Sequence, residues 1–363
     1  MREGWEYKTI EKCTSIEYGT RVVQKRDGGT IYPVYGGGGE TFRMDRYNRE
    51  DCLIIARFAM SPRCVRYVAG KFFLNDSGLS VKSKEELEQA YLNYHLLFFN
   101  DVIYHLGKGA AQRNLDVKAF RQLVIAIPPK STQLSIVSEL DKLNELIRIK
   151  KEQLKDYDAL AQSIFYEMFG DPVENEKGWE VKKIGDVCKT SSGGTPSKAH
   201  DEYYNGDILW LRSGEVGQGD IYDTEQTITL LGLENSSAKI FPVNTVVIAM
   251  YGATVGQVGI LRKEMSTNQA ICGILPNGVL TPEYLNYFLL RMKSEFLKLA
   301  IGGAQANISQ QIIRKTLIPL PPLSLQKYFT CRIRQIEQQK AAIQKTITDL
   351  ETLLAVRMQY WFD

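Results

Sequence analysis

The chain has 363 residues, of which 44% are hydrophobic, so it can bury a substantial core and is long enough for two or three domains. Its six cysteines are scattered without a Cys-x-x-Cys pair, which argues against a zinc module or a disulfide framework and predicts a reducing, cytoplasmic location. The net charge is only +3, yet residues 1–130 hold 20 basic against 15 acidic side chains, whereas residues 131–177 hold 6 against 10.

Residues 1–130 have the pattern of a strand-rich globular domain. Residues 52–58 are predicted as a buried strand and residues 84–99 as a helix. Glycine and polar residues lie between such elements, as in the run Tyr35-Gly36-Gly37-Gly38-Gly39, and loops of this kind usually carry binding contacts.

Basic residues are frequent in this first domain. Arginine can bind a phosphate, or bind a guanine edge with two hydrogen bonds. This concentration of basic residues is therefore suited to DNA binding. The alternative is an ion-paired surface involving Asp45, Glu50 and Asp51. The candidate DNA-binding residues of this half are Lys25, Arg26, Tyr35, Arg43, Arg46 and Arg63.

Residues 131–173 are predicted to form a long helix. Ser131 follows a Pro-Pro pair and is a plausible N-cap, and Gly170 begins the sequence that ends the helix. Apolar side chains recur in steps of three and four, with Lys150 as the polar interruption: Ile136, Leu140, Leu143, Ile147, Leu154, Tyr157, Ala161, Ile164 and Met168. One helix cannot bury such a narrow apolar seam by itself.

Residues 174–322 are predicted as a second strand-rich domain, with strands at 208–211, 245–250 and 258–261 and a helix over 282–299. The stretch 240–261 has no charged residue, but Pro242 and a run of β-branched residues favour strands over a membrane helix. The alternative for Tyr203 and Tyr204 is packing, and for Asn268 a turn cap. The candidate DNA-binding residues of this half are Lys198, Tyr203, Tyr204, Arg212, Ser213, Thr254, Asn268 and Gln269.

Residues 323–363 are predicted as a second long helix, with Ser324 as its N-cap. Its seam is interrupted by Lys340 and Arg357 and consists of Phe329, Ile333, Ile336, Ile343, Ile347, Leu350, Leu354 and Trp361. Two matched seams in one chain favour an antiparallel intramolecular coiled coil that would set the spacing of the two domains. The alternative is a coiled coil between two chains.

The two globular halves are repeats of one module. A shift of 193 residues aligns Tyr91-Leu92-Asn93-Tyr94 with Tyr284-Leu285-Asn286-Tyr287, and Ile127-Pro128-Pro129 with Leu320-Pro321-Pro322. The same shift aligns Gly109-Ala110-Ala111-Gln112-Arg113-Asn114 with Gly302-Gly303-Ala304-Gln305-Ala306-Asn307. The openings Gly4-Trp5-Glu6 and Gly178-Trp179-Glu180 are 174 apart, so the second half carries 19 additional residues. The sequences between these matched ends differ, as expected if one scaffold carries two reading surfaces.

Sequence motifs for catalysis are not found. The glycine run at 36–39 is not Gly-x-Gly-x-x-Gly, no phosphate-binding loop occurs, and none of the three histidines has a metal-ligand spacing. Glu6-Tyr7-Lys8 offers the Glu-x-Lys part of a nuclease site, but no Pro-Asp precedes it. We therefore expect no catalytic residue and no metal site in this chain.

The chain resembles the specificity subunits of type I restriction-modification enzymes. The resemblance rests on the Gly-Trp openings, the Gly-Ala-Gln-x-Asn and Pro-Pro endings, the strand Asn244-Thr245-Val246-Val247-Ile248-Ala249 and the helix after each repeat. It implies an α+β fold with two target recognition domains, residues 1–130 and 174–322, and two conserved-region helices, residues 131–173 and 323–363.

The resemblance also implies a function and partners. Each domain would read one half of a split sequence in double-stranded DNA, and the chain would dock two methyltransferase subunits, with a restriction subunit as a further partner. Those partners would supply the S-adenosylmethionine, ATP and Mg²⁺ chemistry, and this chain would bind no cofactor. The alternatives are a stand-alone DNA-binding or anti-restriction decoy with the same fold, and a coiled-coil scaffold that binds only protein.

Overall fold

The computed structural model describes residues 2–109, 112–217, 219–299 and 307–363. The chain divides into two compact units. Unit 1 comprises Met1–Glu152 with Gln344–Asp363, and unit 2 comprises Gln153–Ile343. Each unit therefore contains one of the repeated halves together with part of each long helix.

Unit 1 is built on a six-stranded sheet with two small strand pairs beside it. Its strands are β1 (Glu6–Thr9), β2 (Thr14–Tyr18), β3 (Tyr32–Gly36), β4 (Gly39–Met44), β5 (Arg49–Ala56), β6 (Val65–Leu74), β7 (Gly78–Ser83), β8 (Gly107–Lys108), β9 (Asn114–Leu115) and β10 (Val124–Ile127). The main sheet has the order β2-β7-β5-β6-β3-β4, and the pairs are β1-β10 and β8-β9. The predicted strand at 52–58 is therefore the end of β5.

Most helices of unit 1 contribute buried residues to its core. They are α1 (Ile10–Cys13), α2 (Gln24–Asp27), α3 (Gln89–Phe98), α4 (Asn100–His105), α5 (Val117–Gln122) and the first part of α6 (Lys130–Phe169). Apolar residues of β5 and α3 meet in one core, where Leu53, Ile55 and Leu92 are almost fully buried. Burial of this apolar surface is the main stabilising contribution to the unit.

Unit 2 contains two larger sheets. Its strands are β11 (Val181–Lys183), β12 (Thr190–Ser192), β13 (Tyr204–Leu211), β14 (Asp220–Ile221), β15 (Thr227–Ile228), β16 (Ile240–Phe241), β17 (Val246–Ala249), β18 (Val258–Leu261), β19 (Met265–Thr267), β20 (Ile271–Ile274) and β21 (Leu317–Pro319). The sheets have the orders β12-β20-β17-β18-β14 and β15-β13-β19-β16, and β11 pairs with β21.

The helices of unit 2 include the predicted one, in two parts. They are α7 (Ile184–Val187), α8 (Leu230–Glu234), α9 (Pro282–Arg291), α10 (Lys293–Leu299), α11 (Gln310–Lys315) and the start of α12 (Leu323–Phe362), with α6 ending in this unit. The predicted helix over 282–299 is thus α9 and α10, interrupted at Met292. The uncharged stretch 240–261 forms β16, β17 and β18, because its β-branched side chains pack on both faces of a sheet.

The backbone pairing reproduces the sequence repeat with both of its shifts. In unit 1, Tyr7 pairs with Ala126, and in unit 2 Val181 pairs with Pro319. Val181 is 174 residues after Tyr7, and Pro319 is 193 residues after Ala126. Likewise β5 pairs with β7 through Ile54 and Ser80, and β17 pairs with β20 through Val247 and Gly273. The additional residues of the second half therefore lie between β12 and β17, where the two units differ most.

The long helices run antiparallel within each unit. In unit 1, Arg357 of α12 pairs with Glu139 of α6, and Lys151 pairs with Glu351 at 2.7 Å. In unit 2, Lys340 of α12 pairs with Asp158 of α6 at 2.8 Å, and the Phe165 and Phe329 rings meet at 5.8 Å. These contacts confirm an intramolecular antiparallel helix pair; its supercoiling remains a prediction.

The predicted N-caps of the long helices are wrong. Helix α6 begins at Lys130 and α12 begins at Leu323, so Ser131 and Ser324 lie inside the first turns. The carbonyl group of Pro129 accepts hydrogen bonds from the backbone N–H groups of Thr132 and Gln133. A proline can hold this position because it needs no backbone N–H there.

Candidate nucleic-acid interface

A polar cleft of about 760 Å³ lies on unit 2. Five of the eight candidate residues of this half line it: Lys198, Tyr204, Arg212, Asn268 and Gln269. Lys198 lies in the segment before β13, Tyr204 begins β13 and Arg212 follows it, and the other two lie in the turn between β19 and β20. The fold thus assembles a polar surface from residues that are distant in the sequence.

A buried tryptophan fixes one wall of the cleft. Trp210 in β13 is 3% exposed, and its Nε1 donates a hydrogen bond to the Gly194 carbonyl oxygen at 3.0 Å. The Tyr204 ring meets Trp210 edge-on at 6.0 Å, and its hydroxyl donates to the Pro196 carbonyl oxygen at 2.6 Å. Burial raises the pKa of Tyr204 above its ordinary value, so this hydroxyl stays protonated at neutral pH. Tyr204 therefore packs against its neighbours, which is the alternative role given in the sequence analysis, and it also lines the cleft.

Two carboxylates hold the guanidinium of Arg212. Its Nε lies 3.0 Å from Oε1 of Glu215, and its Nη2 contacts Glu225. The Arg212 side chain is nonetheless 38% exposed. An arginine held in this way loses little further side-chain freedom when it binds a phosphate or a guanine edge.

Side-chain amides add groups to the cleft that can both donate and accept hydrogen bonds. Asn205 and Gln226 line it together with Asn268 and Gln269. The Asn268 Oδ1 accepts a hydrogen bond from the Ala270 backbone N–H at 3.2 Å, so this residue also stabilises its turn. Asparagine and glutamine can bind adenine through two hydrogen bonds in the major groove. The cleft therefore combines groups suited to phosphate, guanine and adenine.

The three remaining candidates of this half are not among the residues that line the cleft. Tyr203 stacks on His200 with ring centroids 4.7 Å apart, and Ser213 begins a short 3₁₀ turn. Thr254 ends the loop after β17, where its hydroxyl donates to the Tyr251 carbonyl oxygen at 3.1 Å. Their proposed contact with DNA stays a prediction.

In unit 1, candidates on two elements surround one carboxylate. Arg26 on α2 lies 3.0 Å from Asp27, and Arg46, which follows β4, lies 3.9 Å from the same residue. The Arg26 guanidinium lowers the pKa of Asp27, which also accepts a hydrogen bond from the Val23 backbone N–H. Lys25 is exposed on the same helix. Because exposed ion pairs of this kind are weak, these cations remain available to a polyanion.

The β3-β4 hairpin carries Tyr35 and Arg43. Contrary to the sequence analysis, Tyr35 is in a strand and not in a glycine loop, since only Gly37 and Gly38 separate β3 from β4. The Tyr35 ring packs edge-on against Phe72 at 5.5 Å. Arg43 is exposed, donates to the Ile31 carbonyl oxygen at 3.0 Å and lies 3.5 Å from Glu40.

Arg63 lies on the loop between β5 and β6 and is exposed. Its carbonyl oxygen accepts a hydrogen bond from Arg66 at 2.9 Å, and the same Arg66 nitrogen donates to the Gly37 carbonyl oxygen at 2.8 Å. The loop is thereby tied to the hairpin that carries Tyr35 and Arg43.

The arginines of this region form ion pairs, but with other carboxylates than those that the sequence analysis named for an ion-paired surface. Asp45 accepts a hydrogen bond from the Thr30 backbone N–H, and Asp51 accepts one from the Gly70 backbone N–H. The acidic partners of the arginines in this region are instead Asp27, Glu40 and Glu17.

The sequence analysis missed several residues of the cleft. Thr195, Asp201, Asn205, Gln226 and Thr227 line it as well. Asn205 has a left-handed backbone with φ of 59°, which asparagine adopts more readily than most residues. Gln226 and Thr227 lie in an otherwise ordinary polar segment, so only the pairing of β15 with β13 reveals their position.

The paired Gln-x-Asn motifs have a structural role where they are described. The Asn114 Oδ1 accepts a hydrogen bond from the Ala59 backbone N–H at 3.3 Å, and Asn307 forms a β-bridge with Tyr251. Residues 110–111 and 302–306, including Gln305, lie outside the described residues.

Metal clusters and membrane-spanning helices are not found where the chain is described. Within those ranges, no group of three or more His, Cys, Asp or Glu side chains could hold a metal ion. No helix in the described part of the chain is long and apolar enough to cross a membrane. All six cysteines are free thiols, and burial raises the pKa of Cys272 to about 12.

The sequence matches a known family profile in two places. The profile is described as the type I restriction modification DNA specificity domain, and it matches residues 3–156 and 176–352. Each matched range contains one of the two repeated halves.

Individual relatives agree with this match. The MjaIX specificity subunit of Methanocaldococcus jannaschii is 32% identical over 186 residues, which is 48% of this chain and only 43% of that protein. The EcoR124I/EcoR124II specificity subunit of Escherichia coli is 22% identical over 95% of this chain and 88% of its own length. The crystal structure of a type I S subunit from M. genitalium superimposes with a TM-score of 0.61 at 15% identity, covering 99% of this chain and 96% of that one, so the fold is shared.

Proposed function

The chain belongs to the type I restriction-modification DNA specificity family, and we propose that it is the non-catalytic subunit that reads a split DNA sequence, one half-site with each unit. The observation that carries this proposal is the duplication. Two copies of one scaffold, related by the two constant shifts of the repeat, carry different surfaces between their matched strands. A reader of two unlike half-sites requires this combination of shared scaffold and unlike surface.

The chemistry of the polar surface on each unit supports DNA as the ligand. In unit 2 the cleft combines Arg212 and Lys198 with four side-chain amides. In unit 1 the corresponding segment exposes Lys25, Arg26 and Arg43. Cations that bind phosphates provide affinity, whereas amides and arginines that reach base edges provide specificity.

The partners and cofactors follow from the family. We propose that the helix pair docks two methyltransferase subunits, which bind S-adenosylmethionine, and that a restriction subunit with ATP and Mg²⁺ completes the complex. The two long helices would set the number of base pairs between the half-sites. The free thiols of the chain are consistent with the cytoplasm as the place of action.

Selection of DNA from a random library tests the proposal. The chain is co-expressed with a type I methyltransferase subunit from the same genome, and the purified complex is used to enrich duplexes at several salt concentrations. We expect one motif made of two short half-sites with a fixed spacer, and an affinity that falls as salt rises because phosphate contacts release counterions. Enrichment of a single continuous motif, or none, would contradict the proposal.

A further inference from the structure

The two units differ most between β2 and β5 in unit 1 and between β12 and β17 in unit 2, and we call these stretches the unlike segments. Outside them, the units share an exposed loop. In unit 1 it follows β5 and is formed by residues 57–61, and in unit 2 it follows β17 and is formed by residues 250–254. We call these the matched loops. Each presents an aromatic side chain at the same position of the repeat, since Phe58 and Tyr251 are 193 residues apart.

The same backbone hydrogen bonds hold both matched loops. The Arg57 N–H donates to the Ser77 carbonyl oxygen at 2.7 Å, and the Met250 N–H donates to that of Ala270 at 2.8 Å. The Leu115 N–H donates to the Arg57 carbonyl oxygen, and the Ile308 N–H donates to the Met250 carbonyl oxygen, both at 2.9 Å. The three pairs of positions, 57 and 250, 77 and 270, and 115 and 308, are related by the same shift of the repeat, so the repeat preserves the hydrogen bonds of this loop.

Both loops also share an unusual backbone conformation. Ala59 has φ of 50° and Gly252, the equivalent residue, has φ of 71°. Alanine rarely adopts this left-handed conformation because its Cβ approaches the following carbonyl oxygen. Strain of this kind persists only where the surrounding structure enforces it, and it is frequent at ligand-binding positions.

The aromatic side chains remain exposed in spite of this firm backbone. Phe58 is 36% exposed and Tyr251 is 45% exposed, although each follows a buried central strand. A repeat that served only to build a core would bury these rings. Their matched exposure leaves each ring accessible to a partner that could contact both units.

The position of the loops favours DNA as that partner. In unit 2, Ala270, which accepts the Met250 hydrogen bond, directly follows Gln269 of the cleft. In unit 1, a Cβ on Gly37 would lie 2.0 Å from the Phe58 carbonyl oxygen, so the hairpin with Tyr35 and Arg43 rests on this loop. Each matched loop is thus beside the surface proposed to read bases.

Positive charge accompanies the ring of unit 1. The Arg57 guanidinium lies 4.9 Å from the Tyr18 ring centroid and 4.5 Å from that of Phe58. A polyanion is a ligand that suits a cation beside an aromatic ring.

We propose that the matched loops make a DNA contact that does not depend on base sequence, with Phe58 and Tyr251 packing against a deoxyribose or a base face in each half-site. This inference rests on the proposed function. The contact adds affinity to both half-sites equally, while the unlike segments read the bases. Aromatic rings are suited to this task because every nucleotide offers them an apolar face.

Binding by the assembled complex tests this proposal. The variants are Phe58→Ala, Tyr251→Ala and both together, with Phe58→Tyr and Tyr251→Phe as conservative exchanges. Tyr67→Ala is the matched control, because Tyr67 is 49% exposed while Ile260, its counterpart in the repeat, is buried. Affinity is measured for the selected target and for a duplex of shuffled sequence, with methyltransferase at saturation.

Each alanine variant is expected to weaken both duplexes by the same factor, about 5-fold or more, and to leave the selected motif unchanged. The double variant should show the product of the two factors, whereas the conservative exchanges and Tyr67→Ala should bind as the wild type does. A loss confined to the target would overturn the proposal, because the rings would then read bases. Unchanged DNA affinity with weaker methyltransferase capture would also overturn it. If the wild-type complex selects no DNA, the proposed function itself fails.

Discussion

Gln133 and Gln326 make the same three side-chain hydrogen bonds in the two units. Each is fully buried near the start of a long helix. Gln133 accepts from the Glu88 N–H and donates to the Glu86 and Pro128 carbonyl oxygens, at 2.8, 3.0 and 2.8 Å. Gln326 accepts from the Thr281 N–H and donates to Val279 and Pro321, at 2.9, 3.1 and 2.9 Å. Each glutamine therefore ties the segment before a short helix to the Pro-Pro pair at the start of a long one.

Replacing either glutamine should destabilise its unit. Gln133→Leu or Gln326→Leu leaves three backbone groups, one of them buried and two part-buried, without their side-chain partner, which we expect to cost about 2–4 kcal/mol of unfolding free energy. Gln339→Leu is the control, since Gln339 is exposed on α12. Chemical unfolding measures the change, and an effect no larger than that of the control would show that these hydrogen bonds are dispensable.

His95 should give unit 1 a pH-dependent stability that Phe288 does not give unit 2. His95 is 1% exposed, and neither ring nitrogen has a hydrogen-bond partner in the structure as described. It packs against Phe99 and Phe362 at 4.6 and 4.9 Å, and burial lowers its pKa from 6.5 to about 3. Phe288 is its counterpart in the repeat and is buried at the equivalent position.

The folded state thus holds a neutral histidine that the unfolded state protonates below pH 6.5. Stability should be greatest above this pH and should fall as the pH decreases from 6.5 towards 3. His95→Phe should raise stability and flatten this dependence, whereas exchange of the exposed His105 for Gln should do neither. Thermal unfolding across mildly acidic to neutral pH measures both effects; an unchanged slope in His95→Phe would refute this role.

Arg212 should affect only one half-site. Arg212→Ala removes the guanidinium held by Glu215 and Glu225 at the cleft, which should cost about 1–3 kcal/mol of binding free energy and relax the preference at one base position. Arg332→Ala, on the exposed surface of α12, is the control. Selection from a library with one randomised half-site at a time measures the change. Relaxation in both half-sites would contradict the division of reading between the units.

The helix pair is expected to determine the spacer of the target. An insertion of seven residues near Lys150, with a matching one near Lys340, adds two helical turns or about 10 Å to each helix. The spacer should lengthen by about three base pairs, given roughly 3.4 Å per step, and both half-sites should stay the same. Methylated motifs from cells with the paired insertion show the spacer directly, and altered half-sites would disprove the assignment.

The repeat and the long helices could be predicted because their signals are local or periodic. The larger shift of the repeat is readable from Tyr91 and Tyr284, whose hydroxyls donate equivalent hydrogen bonds to Ala126 and Pro319. Apolar seam residues such as Ile136 and Ile333 are buried as their spacing predicts.

The cleft could be predicted only in part, because strand pairing creates it. Lys198 and Gln269 were predicted as polar loop residues, and the structure brings both to the same cleft. Gln226 reaches the cleft through the pairing of β15 with β13, which no local pattern indicates. Tyr35 shows the opposite error, since its glycine neighbours suggested a loop while its ring packs against Phe72.

The most direct test of the central claim is genome-wide mapping of methylated adenine in a methylation-free host. The host expresses a type I methyltransferase subunit from the same genome with or without this chain, and assembly of the complex is verified by co-purification. We predict that a split motif with two half-sites becomes methylated only when the chain is present. Unaltered methylation in cells that contain the assembled complex would contradict the claim that this chain selects the DNA sequence.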